Sequence, residues 1–252
     1  MENEFGVLAG WTADAVRELG EPYAVPAACK GSASPAALSW LGQACELREG
    51  LLLADVGGGM GGPAAYAAQR YGVRPLVVEP MVEACRAAAG LFGVPALAAG
   101  GERLPLGDST ADAVWCLGVL CTTPDKPALL AEIARVLKPG GAAGFLVFTA
   151  DTPRPAGAPE GNEFPSVAEL PRLLEGQGLR VREQRDLAAQ EEDHPDVGPV
   201  WRERAQAVQD LVSRSHEGDP RLAEAQDQEQ RIGRLLKDGV VRGTLVLAVL
   251  EQ

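Results

Sequence analysis

A glycine-rich stretch carries the clearest chemistry in the sequence. Gly57, Gly59 and Gly61 belong to a stretch of five glycines and one methionine at 57–62, directly after a mostly apolar run at 51–56. Glycines at alternate positions remove β-carbons from a bend, so the chain can take positive φ and a ligand can lie against bare peptide. A helix expected at 63–71 would point its free backbone N–H groups at the same place. The stretch therefore predicts a ligand-binding turn between a buried strand and a helix.

Two acids stand beside this turn and bear on the kind of ligand. Asp55 lies two residues before the first glycine, and Glu79 ends the next apolar run. Gly57, Gly59 and Gly62 also satisfy the G-x-G-x-x-G pattern of a dinucleotide site, in which an acid about twenty residues on binds the ribose. An acid as near as Asp55 would repel a diphosphate and tolerate a cationic ligand. A dinucleotide and a cationic cofactor both stay open, and Asp55 favours the second.

Three further segments follow the turn in order. They are Gly-Glu-Arg-Leu-Pro-Leu at 101–106, the run from Asp to Leu at 108–120, and the run ending in Arg-Val-Leu-Lys-Pro-Gly-Gly at 129–141. Together with the turn, they resemble four consecutive motifs of the class I S-adenosylmethionine-dependent methyltransferases, in the small-molecule, methyltransferase type 11-like subgroup. The resemblance covers residues 50–150.

The resemblance implies S-adenosylmethionine as cofactor and S-adenosylhomocysteine as product. It implies that the glycine turn passes the methionine part of the cofactor, that Glu79 accepts hydrogen bonds from both ribose hydroxyls, and that Pro80 and Met81 cover one adenine face. The full set of cofactor-binding residues that it predicts is Asp55, Gly57, Gly58, Gly59, Gly61, Glu79, Pro80, Met81, Gly101, Glu102, Leu117 and Gly118.

One position departs from the family pattern. Where many relatives carry an acid for the adenine amino group, this chain has Gly100. The expected function is direct in-line methyl transfer to O, N or C of a small-molecule acceptor, including a secondary metabolite of natural product biosynthesis. The alternative is a methyltransferase-fold protein that binds the cofactor structurally and templates a cyclisation or only binds a metabolite.

The acceptor side offers four candidate residues. Methyl transfer depends mainly on alignment, and a base is needed only if the acceptor must lose a proton. His194 is the candidate base because histidine titrates near neutral pH, although its polar surroundings fit a solvated loop histidine better. Trp11, Tyr23 and Trp201 are candidate walls of the acceptor pocket, with core packing as the alternative for each.

Composition limits the classes of partner. The 35 acids against 23 bases give a net charge of −12, which argues against nucleic acid as a substrate. The sequence has neither a signal-peptide pattern nor an apolar run of ~18 residues, so a cytoplasmic protein with no membrane partner is expected. The five cysteines form no C-x-x-C pair and the two histidines have no ligand spacing, so no metal site is expected. The oligomeric state is not predicted.

The apolar periodicity positions these motifs on a Rossmann-like α/β fold. Alternating strands and helices predict a doubly wound, mostly parallel sheet, and the last strand resembles the antiparallel strand of this family's seven-stranded sheet. One helix is expected to end at 140–141, and another is expected to span about 166–176. Three regions are expected: a helical cover at 1–48, a cofactor-binding core at 49–151, and the end of the sheet at 152–252. The third region contains a helical lid inserted at about 188–238. The predicted strands are 51–55, 75–79, 95–98, 112–117, 142–148, 179–187 and 243–250.

Overall fold

A computed structural model describes residues 2–29, 31, 33–192 and 198–251. Its strands form one sheet in the order β3-β2-β1-β4-β5-β7-β6, in which β1 to β5 pair in parallel and β7 runs antiparallel to both of its neighbours. The predicted Rossmann-like fold with an antiparallel last strand is confirmed. The strands are β1 (Leu52–Val56), β2 (Arg74–Glu79), β3 (Ala96–Ala98), β4 (Ala111–Leu117), β5 (Leu137–Ala150), β6 (Leu179–Asp186) and β7 (Val241–Leu250).

Helices cover both faces of the sheet and form the layer beyond its carboxyl edge. One apolar core packs α6 and α7 against the sheet, and a second packs α2, α3 and α4 against the opposite face. A short 3₁₀ helix, Glu21–Tyr23, follows α1. The helices are α1 (Glu2–Leu19), α2 (Ala24–Ala28), α3 (Pro35–Ala44), α4 (Gly62–Tyr71), α5 (Val82–Phe92), α6 (Lys126–Val136), α7 (Leu170–Glu175), α8 (Leu187–Glu192), α9 (Gly198–Ser215) and α10 (Pro220–Lys237).

Helix α6 is shorter than its sequence pattern indicates. Asp125 caps its start, accepting the Ala128 N–H at 3.0 Å. The expected end at Gly140–Gly141 is wrong, since Leu137 is already extended and begins β5 by pairing with Ala111. Pro139 lacks an N–H and disfavours helical conformation in the residue before it, which stops the helix early.

The end of the sheet differs from expectation in two places. The helix expected at 166–176 is the six-residue α7, and Ser166 and Glu169 exchange side-chain-to-backbone hydrogen bonds in the turn before it. The strand expected to reach residue 187 ends at Asp186, whose carboxylate accepts the Ala188 and Ala189 N–H groups and so starts α8. Local side-chain hydrogen bonds therefore hold the turn before α7 and the start of α8.

The predicted lid region contains the antiparallel helices α9 and α10. Val208 and Val212 of α9 and Leu222 of α10 pack in one apolar cluster with α1 and α2. At its other end α10 inserts Leu235 into a cluster with Val241 of β7 and with residues at the end of β5. Helix α10 therefore reaches from the N-terminal helices to the carboxyl end of β5. None of the helices in the described part of the chain is long and apolar enough to cross a membrane.

Candidate functional site

The predicted glycine turn connects β1 to α4 at the carboxyl edge of the sheet. Gly57, Gly59 and Gly61 all have positive φ, at 69°, 53° and 77°. A β-carbon on Gly57 would lie 2.4 Å from Val119 Cγ2, so packing requires glycine there, whereas a β-carbon on Gly59 would meet no atom within 4 Å. Gly59 therefore borders open space, as expected where a ligand approaches the backbone.

Glu79 ends β2 and binds the glycine turn directly. Its Oε2 accepts the Gly59 N–H at 3.0 Å, and its Oε1 accepts the Met81 N–H at 3.1 Å. The side chain is buried, and burial raises the pKa of the carboxyl group, while the two backbone hydrogen bonds lower it. The prediction that Glu79 and the glycine turn lie together is therefore realised in the geometry, although the ligand role of Glu79 stays a prediction.

Asp55 is a buried acid at the same edge with neither carboxylate oxygen hydrogen-bonded to the described residues. Burial, and secondarily the charge of Glu79, raise the pKa of Asp55 to about 7. The backbone N–H of Ala64, at the start of α4, points toward this carboxylate and lowers its pKa, but it does not meet the geometry of a hydrogen bond. An unpaired buried carboxylate is costly, so the site is suited to a cationic group that would pair with it.

The end of β4 closes the turn from the other side. Gly118 follows β4 with φ of 77°, and its N–H donates to Leu146 O at 2.8 Å. A β-carbon there would lie 3.2 Å from Gly31 O, so Gly31 lies close to this strand end. Leu117 and Gly118 thus lie beside the turn as predicted, and the N-terminal region covers them.

The segment after β3 contains the remaining candidates for the adenine side. A β-carbon on Gly101 would lie 2.6 Å from Leu129 Cδ1, which explains the small residue in structural terms. A β-carbon on Gly100 would lie 2.8 Å from Glu102 Oε2. The carboxylate of Glu102 therefore folds back to the position from which the missing acid would extend. Pro80 and Met81 follow β2 directly, and the Met81 N–H is held by Glu79.

The candidate acceptor-pocket residues lie in helix contacts. Trp11 stacks on His216 with ring centroids 3.9 Å apart, and the Arg221 guanidinium lies 5.1 Å from its ring. Tyr23 packs against the cluster that joins α1, α2, α9 and α10. Trp201 meets Tyr66 of α4 edge-on at 6.3 Å. All three contact neighbouring helices, so these contacts do not by themselves assign an acceptor role. The candidate base His194 lies outside the described residues.

Two site neighbours have no signal in the sequence that would have identified them. Val119 packs against Gly57, and Gly31 approaches Gly118. Each pair is separated by more than sixty residues, so neither spacing nor periodicity could reveal it. Across the residues whose positions are given, no group of three or more His, Cys, Asp and Glu side chains could hold a metal ion.

Comparison with known proteins finds a family match for the part of the chain that contains the glycine turn. Residues 54–145 match the methyltransferase domain family of type 11. Among curated proteins, dimethylglycine N-methyltransferase of Parasynechococcus marenigrum (strain WH8102) is 42% identical over 40 residues, which is 16% of this chain and 14% of that protein. The chain therefore matches only a small part of this relative.

Solved structures share the fold at low sequence identity. The (4+2)-cyclase SpnF superposes with a TM-score of 0.65 and 20% identity over 85% of this chain and 80% of its own. A putative sarcosine dimethylglycine methyltransferase from Galdieria sulphuraria superposes with a TM-score of 0.64 and 18% identity, over 85% of this chain and 84% of its own. The mycolic acid cyclopropane synthase CmaA1, complexed with SAH and CTAB, superposes with a TM-score of 0.66 and 16% identity, over 84% of this chain and 82% of its own. The family match over residues 54–145, the strand order and the glycine turn are together consistent with a class I S-adenosylmethionine-dependent methyltransferase of the type 11 subgroup.

Proposed function

We propose that the protein transfers a methyl group from S-adenosylmethionine to O, N or C of a small-molecule acceptor, producing S-adenosylhomocysteine. The observation that carries the proposal is the hydrogen bond between Glu79 and Gly59 beside the unpaired carboxylate of Asp55. Two buried carboxyl groups and bare backbone therefore lie together at one edge of the sheet, which supports a role for Glu79 as acceptor for ribose hydroxyls. The proposal extends to natural product biosynthesis as the setting of the reaction.

The charges at the site suit a cationic cofactor. Asp55 forms no ion pair among the residues that the structure describes, and both its oxygens lack partners. The ammonium and sulfonium groups of S-adenosylmethionine would favour the ionised carboxylate. A dinucleotide diphosphate would instead meet Asp55 and Glu79 together, and two buried acids repel it.

The hydrogen-bonding groups suit the nucleoside part. Each Glu79 oxygen accepts one backbone N–H and retains capacity for a ribose hydroxyl. The carboxylate of Glu102, folded back to Gly100, supports a role as acceptor for the adenine amino group. Glu102 would thus replace the acid that many relatives have at position 100.

When bound, S-adenosylmethionine supplies an electrophilic methyl group on a good leaving group. The chain must then orient the acceptor and exclude water, and good alignment of reactants can contribute roughly 7–11 kcal/mol. The N-terminal helices and the α9–α10 lid form the cover that we assign to this task. Trp11, Tyr23 and Trp201 remain candidate walls and His194 the candidate base if the acceptor requires one.

Calorimetry with S-adenosylhomocysteine and with NAD tests the cofactor assignment. We expect saturable binding of S-adenosylhomocysteine and none of NAD. Tighter binding of NAD would overturn the proposal. A coupled assay for release of S-adenosylhomocysteine, run across alcohol, amine and activated-carbon acceptors, then identifies the class of acceptor that is methylated.

A second candidate function is supported by the fold similarity to the (4+2)-cyclase SpnF. In this case the cofactor is structural, and the covered pocket templates a cyclisation or binds a metabolite. The two functions give different results in one assay. Transfer consumes S-adenosylmethionine in proportion to product, whereas a templated cyclisation leaves the bound S-adenosylmethionine intact through many turnovers.

A further inference from the structure

Two side chains of α6, Glu132 and Arg135, form a paired unit within the motif-like run at 129–141. The Arg135 guanidinium donates to both carboxylate oxygens of Glu132, each at 2.6 Å, and to Asp108 Oδ1 at 2.7 Å. A pair with two parallel hydrogen bonds is among the strongest that side chains form. The hydrogen bonds from Arg135 hold the pKa of the Glu132 carboxyl group below its usual value, so the pair is ionised.

The pair also binds the backbone of the segment between β3 and β4, residues 99–110. Glu132 Oε2 accepts the Leu104 N–H at 2.7 Å, and Arg135 donates to Leu104 O at 3.1 Å and to Leu106 O at 2.9 Å. The segment is neither helix nor strand. Its backbone groups therefore need partners other than a regular hydrogen-bond ladder, and the side chains of α6 supply them.

The beginning of the same segment borders the candidate cofactor site. The Ala99 N–H donates to the backbone oxygen of Glu79 at 3.2 Å. A β-carbon on Gly101 would lie 4.0 Å from Cγ1 of Val56, the residue that precedes the glycine turn. Glu102, to which we assign the adenine amino group, follows directly. One residue separates Glu102 from the backbone that α6 holds, so a shift of that backbone would move Glu102.

We propose that Glu132 and Arg135 are positioning residues for the nucleoside part of the cofactor, and that they fix residues 99–106 so that Glu102 meets the adenine amino group. The inference rests on the proposed function, in which S-adenosylmethionine binds at this edge of the sheet. Only a guanidinium group can pair with a carboxylate through two bonds and still donate to two carbonyl groups. Loss of the pair should therefore weaken recognition of the base, while the glycine turn still binds the methionine part.

Calorimetry with two ligands tests the inference. S-inosylhomocysteine differs from S-adenosylhomocysteine in the base, where a carbonyl oxygen replaces the amino group. We expect the parent to prefer S-adenosylhomocysteine by roughly tenfold or more, because a carboxylate accepts from the amino group and repels the carbonyl oxygen. Arg135→Met, which removes every donor, should reduce this preference to about threefold or less. Arg135→Lys, which keeps the charge without the paired bonds, should reduce it too, and it decides the test if Arg135→Met does not fold.

Asp112→Asn is the matched control. Asp112 also pairs with a cation, Lys138, and accepts a backbone N–H, that of Leu52, at 2.8 Å. It lies at the start of β4 beside the start of β1, at the opposite edge of the sheet from the glycine turn. Urea unfolding should show that this variant is destabilised, whereas its preference for S-adenosylhomocysteine should equal that of the parent.

The possible outcomes separate positioning from a general loss of stability. A parent-like preference in the folded Arg135 variants would overturn the inference, as would an equal loss of preference in Asp112→Asn or the absence of any preference in the parent. A parent that binds neither ligand would instead contradict the proposed function, so the two failures are distinguishable.

Discussion

The carboxylate of Glu79 fixes the backbone of Gly59, since its Oε2 accepts the Gly59 N–H at 3.0 Å. The acid at the end of β2 is thus linked to the turn after β1, across the two adjacent strands. The same carboxylate binds Met81 N–H, so one side chain positions both segments expected to flank the cofactor.

Replacement of Glu79 should separate its two roles. We expect Glu79→Ala to weaken binding of S-adenosylhomocysteine by about 1.5–3 kcal/mol, the loss typical of charge-assisted hydrogen bonds. Calorimetry measures the affinity, and urea unfolding measures the cost of losing the Gly59 and Met81 bonds. Glu83→Ala, an exposed acid on α5, serves as the control. Parent-like affinity in Glu79→Ala would show that the acid has no ligand role.

Gly59 and Gly57 should respond differently to an added side chain. We expect Gly59→Val to abolish cofactor binding, because a β-branched residue resists positive φ and its side chain would enter the open space beside the turn. The fold should survive, at a cost of roughly 1–2 kcal/mol for the backbone strain. Gly57→Ala should chiefly destabilise the protein, because its β-carbon would clash with Val119. Unfolding curves and calorimetry on both variants check this contrast, and normal cofactor binding by Gly59→Val would contradict it.

The raised pKa of Asp55 predicts a pH dependence of stability. The folded-state pKa of Asp55, about 7, lies above the usual 3.8. Its contribution to the free energy of unfolding is therefore fully present below a pH of about 4 and is lost as the pH rises through 7. The loss is at most about 4 kcal/mol in the ligand-free protein. Urea unfolding at pH 5 and at pH 8 measures the effect. The free energy of unfolding should fall less between these pH values in Asp55→Asn than in the parent.

Cofactor affinity should have the opposite pH dependence. An ammonium group favours the ionised form of Asp55, so S-adenosylhomocysteine should bind more tightly as pH rises from 6 to 8. Asp55→Asn should bind weakly and with a flatter pH profile. An equal pH dependence in parent and variant would assign the effect to another group.

Turnover should survive prolonged incubation with EDTA. The described residues provide no group of three potential protein ligands for a metal, and the two histidines of the sequence lack ligand spacing. The measurement is the rate of S-adenosylhomocysteine release before and after chelation. Loss of activity that magnesium or calcium restores would contradict the prediction.

The lid should become protected only when the site is filled. Helices α9 and α10 bury few residues, chiefly Val208, Val212, Leu222 and Leu235, so local opening should cost little. Hydrogen exchange should therefore slow in 188–238 when S-adenosylhomocysteine and acceptor are both bound. If these helices were already fully protected in the free protein, and Trp201→Ala changed stability without changing turnover, the lid would be a fixed wall.

The sheet and the turn were predictable because their signals are local. Apolar runs of strand length alternate with helical patterns, and the spacing of Gly57, Gly59 and Gly61 requires a bend after β1. Glu79 was predictable too, because it ends the next strand, and the end of a parallel strand beside β1 lies next to that bend. These features depend on residues that are neighbours in the sequence or at the ends of adjacent strands.

The remaining details depend on contacts between distant segments. The clash of Val119 with a side chain at Gly57 and the return of Glu102 toward Gly100 become visible only once the chain is folded. The early end of α6 had a local signal in Pro139, but apolar periodicity through Leu137 masked it. The acceptor could not be predicted from the sequence either, since the region 188–238 has no local motif.

The place of β7 between β5 and β6 has a consequence for synthesis on the ribosome. Among the described strands β6 pairs with β7 alone, and β7 is made after the entire lid. Until β7 emerges, β5 presents an open edge and β6 has no partner in the sheet. We therefore expect the sheet to be completed only after translation has passed residue 250, with the nascent chain exposed to aggregation at the β5 edge until then.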